Sequence, residues 1–211
     1  LRHGYIPSPN FIFQNTFKLQ PGKILTIDQK KFFPQIKSFW SLENIVKNRS
    51  LINIGNSEII KNLDNLLTDS VSRRMIADVP VGSFLSGGID SSVVTAIMQK
   101  VSKRKVNTFS IGFREDSYDE ANFAKKIAEK LGTNHTEVYL DSKEAQNVIP
   151  LIPKFYDEPF GDSSQIPTYL VSKIARKSVK VALSGDGGDE LFLGYNRYIM
   201  ANQFKWIFSL P

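Results

Sequence analysis

The chain has 211 residues, 41% of them hydrophobic and 23% charged, which is the composition of a soluble globular protein with one ample domain or one domain plus part of another. It contains no cysteine, which excludes a disulfide scaffold, a cysteine-based zinc site, an iron–sulfur cluster and a cysteine nucleophile within these residues. No apolar run approaches the roughly 20 residues of a membrane span and no signal peptide is recognisable, so we expect a cytoplasmic protein without a membrane partner.

The net charge is +6, and a basic balance can indicate a nucleic-acid partner. The lysines are spread along the chain, however, and the densest basic cluster, Lys100–Lys105, follows a predicted helix. Cations are favourable at a helix C-terminus, so we interpret this cluster as a solvated helix end, with a polyanion-binding patch as the alternative. A nucleic acid is not an expected partner.

The first 40 residues are rich in aromatic residues and proline and show no helical period. Pro21-Gly22 marks a turn, and residues 23–28 alternate polar and apolar side chains as a strand does. Residues 41–56 are polar, which is typical of a linker. Because the chain begins with leucine and stops directly after an apolar aromatic stretch, we expect it to be a piece of a longer polypeptide.

From Ser57 onward apolar residues recur at helical spacing as far as Met75, and Pro80 ends this first helical segment. Helices and strands then alternate. The predicted strands are 81–86, 106–111, 135–140 and 179–183, and the further predicted helices are 91–101, 118–131, 142–155 and 166–177. This alternation predicts an α/β fold with a doubly wound parallel sheet, whose ligands bind at the carboxyl ends of the strands.

Two glycine-rich turns follow predicted strands: Ser86-Gly-Gly-Ile-Asp-Ser-Ser92 and Ser184-Gly-Asp-Gly-Gly-Asp-Glu190. Glycines let backbone N–H groups point inward and form an anion-binding nest, and the following helix directs its positive end at the same place. The serine hydroxyl groups add donors. We therefore predict a phosphate-binding cradle.

The first turn differs from other nucleotide-binding loops, because no Gly-Lys-Ser/Thr follows its glycines and the G-x-G-x-x-G pattern is absent. A carboxylate beside phosphates is repulsive unless a cation lies between them, so Asp90 predicts Mg²⁺. Asp189 and Glu190 offer further oxygen ligands. The plainer alternatives are a strand–helix connection with Asp90 as a first-turn helix acid, and an acidic surface turn at 184–190.

Ser86-Gly-Gly-Ile-Asp-Ser91 resembles the S-G-G-x-D-S pyrophosphate loop of the ATP pyrophosphatases, which cleave ATP between the α and β phosphates and adenylate an oxygen of their substrate. Together with the second turn, it resembles the synthetase domain of the glutamine-hydrolysing asparagine synthetase family. The resemblance extends to Tyr118-Asp-Glu-Ala121, 157–164, 166–170 and, for the end of the family's glutaminase domain, 4–9 with Pro21-Gly22.

This resemblance implies that residues 1–40 are the C-terminal, β-rich remnant of an Ntn-type glutaminase domain, followed by a linker at 41–56. Residues 57–211 would be the N-terminal part of an ATP pyrophosphatase, Rossmann-like synthetase domain. The implied function is an ATP-dependent amide-forming ligase that adenylates a carboxylate, aspartate by family default, and releases pyrophosphate. Ammonia from glutamine then displaces AMP. The implied cofactors are ATP and Mg²⁺, and a homodimer remains open.

The resemblance also implies roles for individual residues. The phosphates of ATP would bind at Ser86, Gly87, Gly88, Asp90 and Ser91, and Mg²⁺ at Asp90 and Asp189. Adenine and ribose would be framed by Leu85, Ile111, Gly112, Ser184 and Gly185. The catalytic residues would be Asp186 and Asp189.

Several features depart from the family pattern. Asp186 stands at a position that is often glutamate, near the acyl-adenylate and the incoming ammonia. The chain has no cysteine nucleophile and the family's synthetase domain continues beyond residue 211, so we expect the ATP site here but neither ammonia release from glutamine nor full activity. Residues 160–165 lack the arginine-bearing sequence of aspartate-using members, and an arginine fork best binds a carboxylate. Another carboxylate, such as a sugar acid, is therefore the alternative acceptor.

Two other functions stay open at this point: an ATP pyrophosphatase that modifies a tRNA or another nucleotide, and a nucleotide-binding module without turnover. His3 and His135 have no second histidine or cysteine at ligand spacing and are interpreted as structural. Arg197 either reaches a phosphate or a substrate carboxylate or packs on a helix surface.

Overall fold

The computed structural model describes residues 3–28, 30, 32–48, 54–113 and 120–204. The chain divides into two compact units. Unit 1 comprises Leu1–Asn56 and Pro150–Ser164, and unit 2 comprises Ser57–Ile149 and Gln165–Pro211. All the site residues predicted from the sequence lie in unit 2.

A two-stranded antiparallel sheet is the β structure of the described part of unit 1. It consists of β1 (Lys23–Ile27) and β2 (Pro34–Ser38). Gly22 precedes β1 with φ +71°, and a Cβ there would lie 2.2 Å from the Trp40 carbonyl oxygen. The turn at Pro21-Gly22 and the strand after it are thus present as predicted.

The polar segment 41–56 contains a short helix, α1 (Leu42–Lys47). Ser41 caps it, because the Asn44 N–H donates to the Ser41 hydroxyl at 3.3 Å. Composition alone does not distinguish such a capped turn of helix from an extended linker.

The segment 150–164 is held to the N-terminal part of unit 1. The Lys18 ammonium forms an ion pair with Glu158 and donates to the Ile6 carbonyl at 2.6 Å. The Gly161 N–H donates to the Gly4 carbonyl at 2.5 Å. Unit 1 is therefore assembled from two stretches of chain that are far apart in sequence.

A four-stranded parallel sheet forms the centre of unit 2. Its strands are β3 (Val81–Phe84), β4 (Asn107–Phe113), β5 (Asn134–Leu140) and β6 (Val181–Leu183), in the order β5-β4-β3-β6. The chain proceeds from β3 to β4 and β5 and then returns to the other side of β3. This reversal confirms the doubly wound parallel sheet and places its switch point between β3 and β6.

Further helices lie before, between and after these strands along the chain. They are α2 (Asn56–Arg74), α3 (Ile89–Val101), α4 (Ala121–Leu131), α5 (Ser142–Gln146), α6 (Ile152–Phe155), α7 (Gln165–Ala175), α8 (Gly188–Phe192) and α9 (Asn196–Gln203). Among the described residues, no helix combines the length and the apolar character needed to cross a membrane.

The core of unit 2 consists of three clusters of buried apolar side chains. One joins α2 and α3, a second joins the end of β3 to α4, and a third joins β4 to α7. Their buried members are Val71, Ile97, Met98 and Val106; Leu85, Ala124 and Ala128; and Phe109, Ala175 and Val179. These clusters fix the helices whose ends surround the carboxyl edge of the sheet.

Several predicted elements differ from the observed ones. The strands predicted at 81–86 and 179–183 are shorter, since β3 ends at Phe84 and β6 begins at Val181. The helix predicted at 142–155 is interrupted after α5, and a 3-10 turn at Ile149–Leu151 precedes α6. Pro150 and Pro153 have no backbone N–H, which accounts for the interruption.

β4 runs to Phe113 rather than ending at Ile111, and Gly112 pairs with Tyr139 of β5. The ladder with β5 thus extends β4 past the strand end that the sequence predicts. In the predicted helix 118–131, Tyr118 and Asp119 lie outside the described residues, and α4 begins at Ala121.

Candidate functional site

Residues 85–88 connect β3 to α3 and form the first glycine turn. The Leu85 N–H donates to the Phe109 carbonyl at 2.9 Å, which attaches the start of the turn to β4. Gly87 has φ +86°, and a Cβ there would lie 2.8 Å from the Phe123 Cβ. Position 87 therefore requires glycine both for its backbone conformation and for space.

Serine hydroxyl groups line this turn. The hydroxyl oxygens of Ser86 and Ser91 lie 2.9 Å apart, and the Ser86 N–H donates to the Ser91 oxygen at 3.2 Å. The Ser92 hydroxyl donates to the Gly88 carbonyl at 2.6 Å. Ser91 is only 7% exposed whereas Ser86 is open to solvent, so the buried Ser91 hydroxyl orients the exposed Ser86 hydroxyl.

The N-terminus of α3 adds positive electrostatic potential at the same turn. This helix is 13 residues long, and its N-cap residue Gly88 provides no side-chain cap. The first N–H groups of a helix have no acceptor within it, so those of Ile89, Asp90 and Ser91 favour an anion placed before the helix.

The second glycine turn follows β6. The Ser184 hydroxyl donates to the Asp186 carboxylate at 2.9 Å, and the Gly188 N–H donates to the Gly185 carbonyl at 3.1 Å. Gly187 has φ +91° and is the N-cap of α8. The turn therefore presents Asp186, which is exposed, with its carboxylate held by Ser184.

The two turns pack directly against each other. A Cβ on Gly185 would lie 2.6 Å from the Ser91 nitrogen and 2.9 Å from the Asp90 carbonyl carbon. A Cβ on Gly188 would lie 2.4 Å from the Asp90 carboxyl carbon. Because β3 and β6 are adjacent, their carboxyl ends bring together segments that are about 100 residues apart, as the Ser83–Leu183 pairing shows.

Asp90 and Asp189 are the two carboxylates predicted to hold Mg²⁺, and both are partly buried. Within the described ranges, no group of three or more histidine, aspartate or glutamate side chains could hold a metal by itself. Mg²⁺ is usually bound through one or two carboxylates together with substrate phosphates and waters. The residues present therefore fit a magnesium ion that binds together with a nucleotide.

Glu190, the next acid in the second turn, has a different partner. The Tyr195 hydroxyl donates to the Glu190 carboxylate at 2.7 Å. This hydrogen bond raises the pKa of Tyr195 to about 12 and lowers the pKa of Glu190. The Arg197 guanidinium stacks on the Tyr195 ring, 4.8 Å from its centroid, so Arg197 packs on a neighbouring side chain of this segment.

The residues predicted to frame adenine and ribose lie at the same edge of the sheet. Ile111 and Gly112 extend beyond Phe109, the last β4 residue paired with β3, while Ser184 and Gly185 follow β6. The Leu85 side chain is only 1% exposed and packs in the core. Only its main chain is placed to contribute to a ligand site.

His135 lies within a polar layer beneath α4. Its ring nitrogens lie 2.9 Å from the Thr108 hydroxyl and 3.2 Å from the Ser110 hydroxyl. Burial lowers the pKa of His135. Both nitrogens are thus engaged by hydroxyl groups, in agreement with the structural role predicted for this histidine.

The asparagine synthase family model matches residues 62–210, which is more than half of the chain and includes both glycine turns. The chain belongs to the asparagine synthase family.

The asparagine synthase relatives match most of this chain. One from Methanocaldococcus jannaschii, grouped with the glutamine-hydrolysing asparagine synthetases, is 42% identical over 99% of this chain and 39% of its own length. Asparagine synthetase [glutamine-hydrolyzing] 1 of Bacillus subtilis is 36% identical over 92% of this chain and 30% of its own length. The chain thus spans 39% and 30% of the lengths of these two relatives.

Among solved structures, the NH3-dependent NAD synthetase of Campylobacter jejuni matches with a TM-score of 0.45 and 15% identity. The match covers 64% of this chain and 60% of that chain.

Two contacts at the site are not evident from the sequence motifs. Gly194 packs on the Asp189 carboxylate, and Tyr195 binds Glu190. The sequence signal for both is the short Leu193-Gly-Tyr195 segment that follows the second glycine turn. A glycine shortly after a five-residue helix indicates a sharp return of the chain, but not which side chain the return contacts.

Proposed function

We propose that this chain carries the ATP site of an ATP-dependent amide-forming ligase of the asparagine synthetase type. The observation that carries the proposal is the direct packing of Gly185 on the Asp90–Ser91 main chain, at the switch point of the sheet. This packing brings the two glycine turns and the N-terminus of α3 together, and Asp90 and Asp189 belong to these two turns. Polyphosphate with a divalent cation is the ligand that such a combination favours.

In this proposal the first turn binds the phosphates that leave as pyrophosphate. The Ser86 hydroxyl and the first N–H groups of α3 donate to phosphate oxygens. Asp90 and Asp189 hold Mg²⁺, which supplies charge neutralisation on the leaving pyrophosphate. Ile111, Gly112, Ser184, Gly185 and the main chain of Leu85 border the nucleoside.

The proposed reaction has two steps. A carboxylate oxygen of the acceptor attacks the α-phosphorus of ATP, the bond to the β-phosphate oxygen breaks, and pyrophosphate leaves. The nitrogen of ammonia then attacks the acyl carbon of the mixed anhydride, a proton is lost, and AMP leaves with the former carboxylate oxygen. Aspartate is the proposed acceptor, glutamine the proposed source of ammonia, and asparagine the product.

The residues of the chain contribute mainly position and charge. Donors that are fixed before the reaction stabilise charge as it develops, without the reorganisation that water would require. Asp186 is exposed in the second glycine turn. We assign it a place near the acyl-adenylate. A carboxylate there attracts ammonium and stabilises the tetrahedral adduct while the adduct loses its proton.

Oxygen transfer tests this function. The full-length protein is incubated with ATP, Mg²⁺, ammonia and aspartate whose side-chain carboxylate carries ¹⁸O, and AMP and pyrophosphate are measured. We expect equal amounts of both products and one ¹⁸O atom in each AMP, and we expect Asp90→Asn to abolish their formation. Release of ADP and phosphate, or AMP without ¹⁸O, would contradict adenylation of aspartate.

A further inference from the structure

The segment 193–195, which we call the return segment, follows α8 directly and folds back on it. Leu193 ends α8 in the left-handed conformation, with φ +61° and ψ 39°. The Gly194 N–H then donates to the Asp189 carbonyl at 3.0 Å. The chain thus reverses within a few residues, and the reversal is fastened to the residue that we assign as a metal ligand.

Gly194 also lies against the Asp189 side chain. A Cβ built on Gly194 would lie 1.8 Å from Asp189 Oδ1 and 2.9 Å from its carboxyl carbon. The carboxylate therefore occupies the space that any side chain at position 194 would need. A substitution at this position must move either the carboxylate or the return segment.

The next residue of the return segment contacts the other acid of α8. The Tyr195 hydroxyl donates to Glu190 at 2.7 Å, and the Arg197 guanidinium stacks on the Tyr195 ring at 4.8 Å. The return segment therefore makes separate contacts with two consecutive acids. One is packed against glycine, and the other is engaged by a phenol.

We propose that the return segment positions the Asp189 carboxylate for Mg²⁺, with Gly194 and Tyr195 as positioning residues. Gly194 leaves room for the carboxylate and holds its main chain, and Tyr195 keeps Glu190 turned to its own hydrogen bond. Groups that orient a metal ligand in this way are required for full metal affinity. This inference rests on the proposed function, because it takes Asp189 to be a magnesium ligand.

The test measures metal binding rather than turnover. The probe is Mn²⁺, observed by electron paramagnetic resonance, together with an ATP analogue whose α–β bridge is a methylene group. Affinity for the analogue is measured with Mn²⁺ and again in EDTA. The variants are Gly194→Ala and Tyr195→Phe, with Gly55→Ala as the control, because a Cβ at Gly55 meets no atom within 4 Å.

For Gly194→Ala we expect Mn²⁺ affinity to fall by about 10-fold or more, with metal-free affinity for the analogue unchanged. Tyr195→Phe should weaken Mn²⁺ binding in the same direction by a smaller factor, and Gly55→Ala should match the wild type. A purely structural role would lower binding with and without metal alike.

The inference is overturned if Gly194→Ala, folded by circular dichroism, binds Mn²⁺ as the wild type does. If that variant does not fold, wild-type Mn²⁺ binding by Tyr195→Phe overturns it instead. A wild-type protein that binds the analogue equally with and without Mn²⁺ contradicts the proposed magnesium site itself, and this result is distinct from the other two.

Discussion

Gly185 is the residue at which the two glycine turns meet. Its Cα lies against the main chain of Asp90 and Ser91, and a main chain cannot move aside as the end of a flexible side chain can. The space available at one residue thus determines whether the donors of the first turn and the acids of the second turn share a site.

We therefore expect Gly185→Ala to separate the turns. The added methyl group should reduce the free energy of unfolding by about 1–3 kcal/mol, in the range of other overpacked positions, and abolish nucleotide binding. Urea denaturation and calorimetric titration with ATP would measure the two effects. Gly55→Ala is the matched control, and equal stability and binding in both variants would show that the turns do not need this contact.

His135 gives a prediction about pH. Burial lowers its pKa in the folded protein, while the charges of Glu137 and Glu129 raise it and that of Lys125 lowers it. The unfolded chain therefore takes up a proton at higher pH than the folded protein does. Stability should be at its full value above about pH 6.5, the ordinary histidine pKa, and decrease as the pH falls through that value toward the lower folded pKa.

The check is the free energy of unfolding of the wild type and of His135→Gln between pH 5 and pH 8. Glutamine keeps hydrogen-bonding capacity but does not titrate, so the variant should lose the part of the pH dependence that lies below the ordinary histidine pKa. Identical pH profiles for the two proteins would contradict the assignment.

At the scale of elements, a buried hydroxyl pair attaches α3 to β3. The hydroxyl oxygens of Ser83 and Thr95 lie 2.9 Å apart, and both residues are fully buried. The Thr95 hydroxyl also donates to the Ser91 carbonyl at 2.8 Å. The position of the first glycine turn relative to α3 thus depends on the Ser83–Thr95 contact, which lies one helical turn further along α3 than Ser91.

Thr95→Val preserves shape but removes this hydroxyl, which leaves Ser83 without its 2.9 Å partner. We expect a loss of about 1–3 kcal/mol in the free energy of unfolding, because the Ser83 hydroxyl keeps only its longer contacts, at 3.4 Å to the Phe84 carbonyl and 3.5 Å to the Leu183 carbonyl. The double variant Ser83→Ala with Thr95→Val should lose less than the sum of the single losses. Thr136→Val at an exposed position is the control, and strictly additive losses would contradict a direct pairing.

The order of helices and strands from α2 to β6 could be predicted from the sequence because periodicity and turn residues agree there. Val81–Phe84 is followed by glycines and a helical segment, and this local pattern identifies the first turn without tertiary information. The boundaries of β4 could not be predicted, because the pairing of Gly112 with Tyr139 depends on β5. Pro150 and Pro153 indicate the break between α5 and α6, but the prediction of one continuous helix at 142–155 did not take them into account.

The part of the candidate site that consists of local motifs could be predicted from the sequence. The acids and glycines of both turns can be read from the sequence. The predicted parallel sheet also implies that the carboxyl ends of its strands lie at one edge. The contact of Gly188 with Asp90 and that of Gly194 with Asp189 depend on the path of the chain in space, which a motif does not specify. The core position of the Leu85 side chain likewise follows from α4 packing.

At the scale of the molecule, the strand order β5-β4-β3-β6 accounts for the position of the site. A chain that returns to the other side of its first strand leaves a crevice between the connections of β3 and β6. The two glycine turns are those connections. The asparagine synthase family model matches residues 62–210, which include both turns.

The central claim is that the two turns form one ATP site that depends on a metal ion. The most direct measurement is calorimetric titration of the chain with ATP in the presence of Mg²⁺ and in EDTA, for the wild type, Asp90→Ala and Asp189→Asn. We predict binding by the wild type that Mg²⁺ strengthens, and loss of the Mg²⁺-dependent part in both variants. A folded wild type that does not bind ATP, or variants that retain the full effect of Mg²⁺, would contradict the claim.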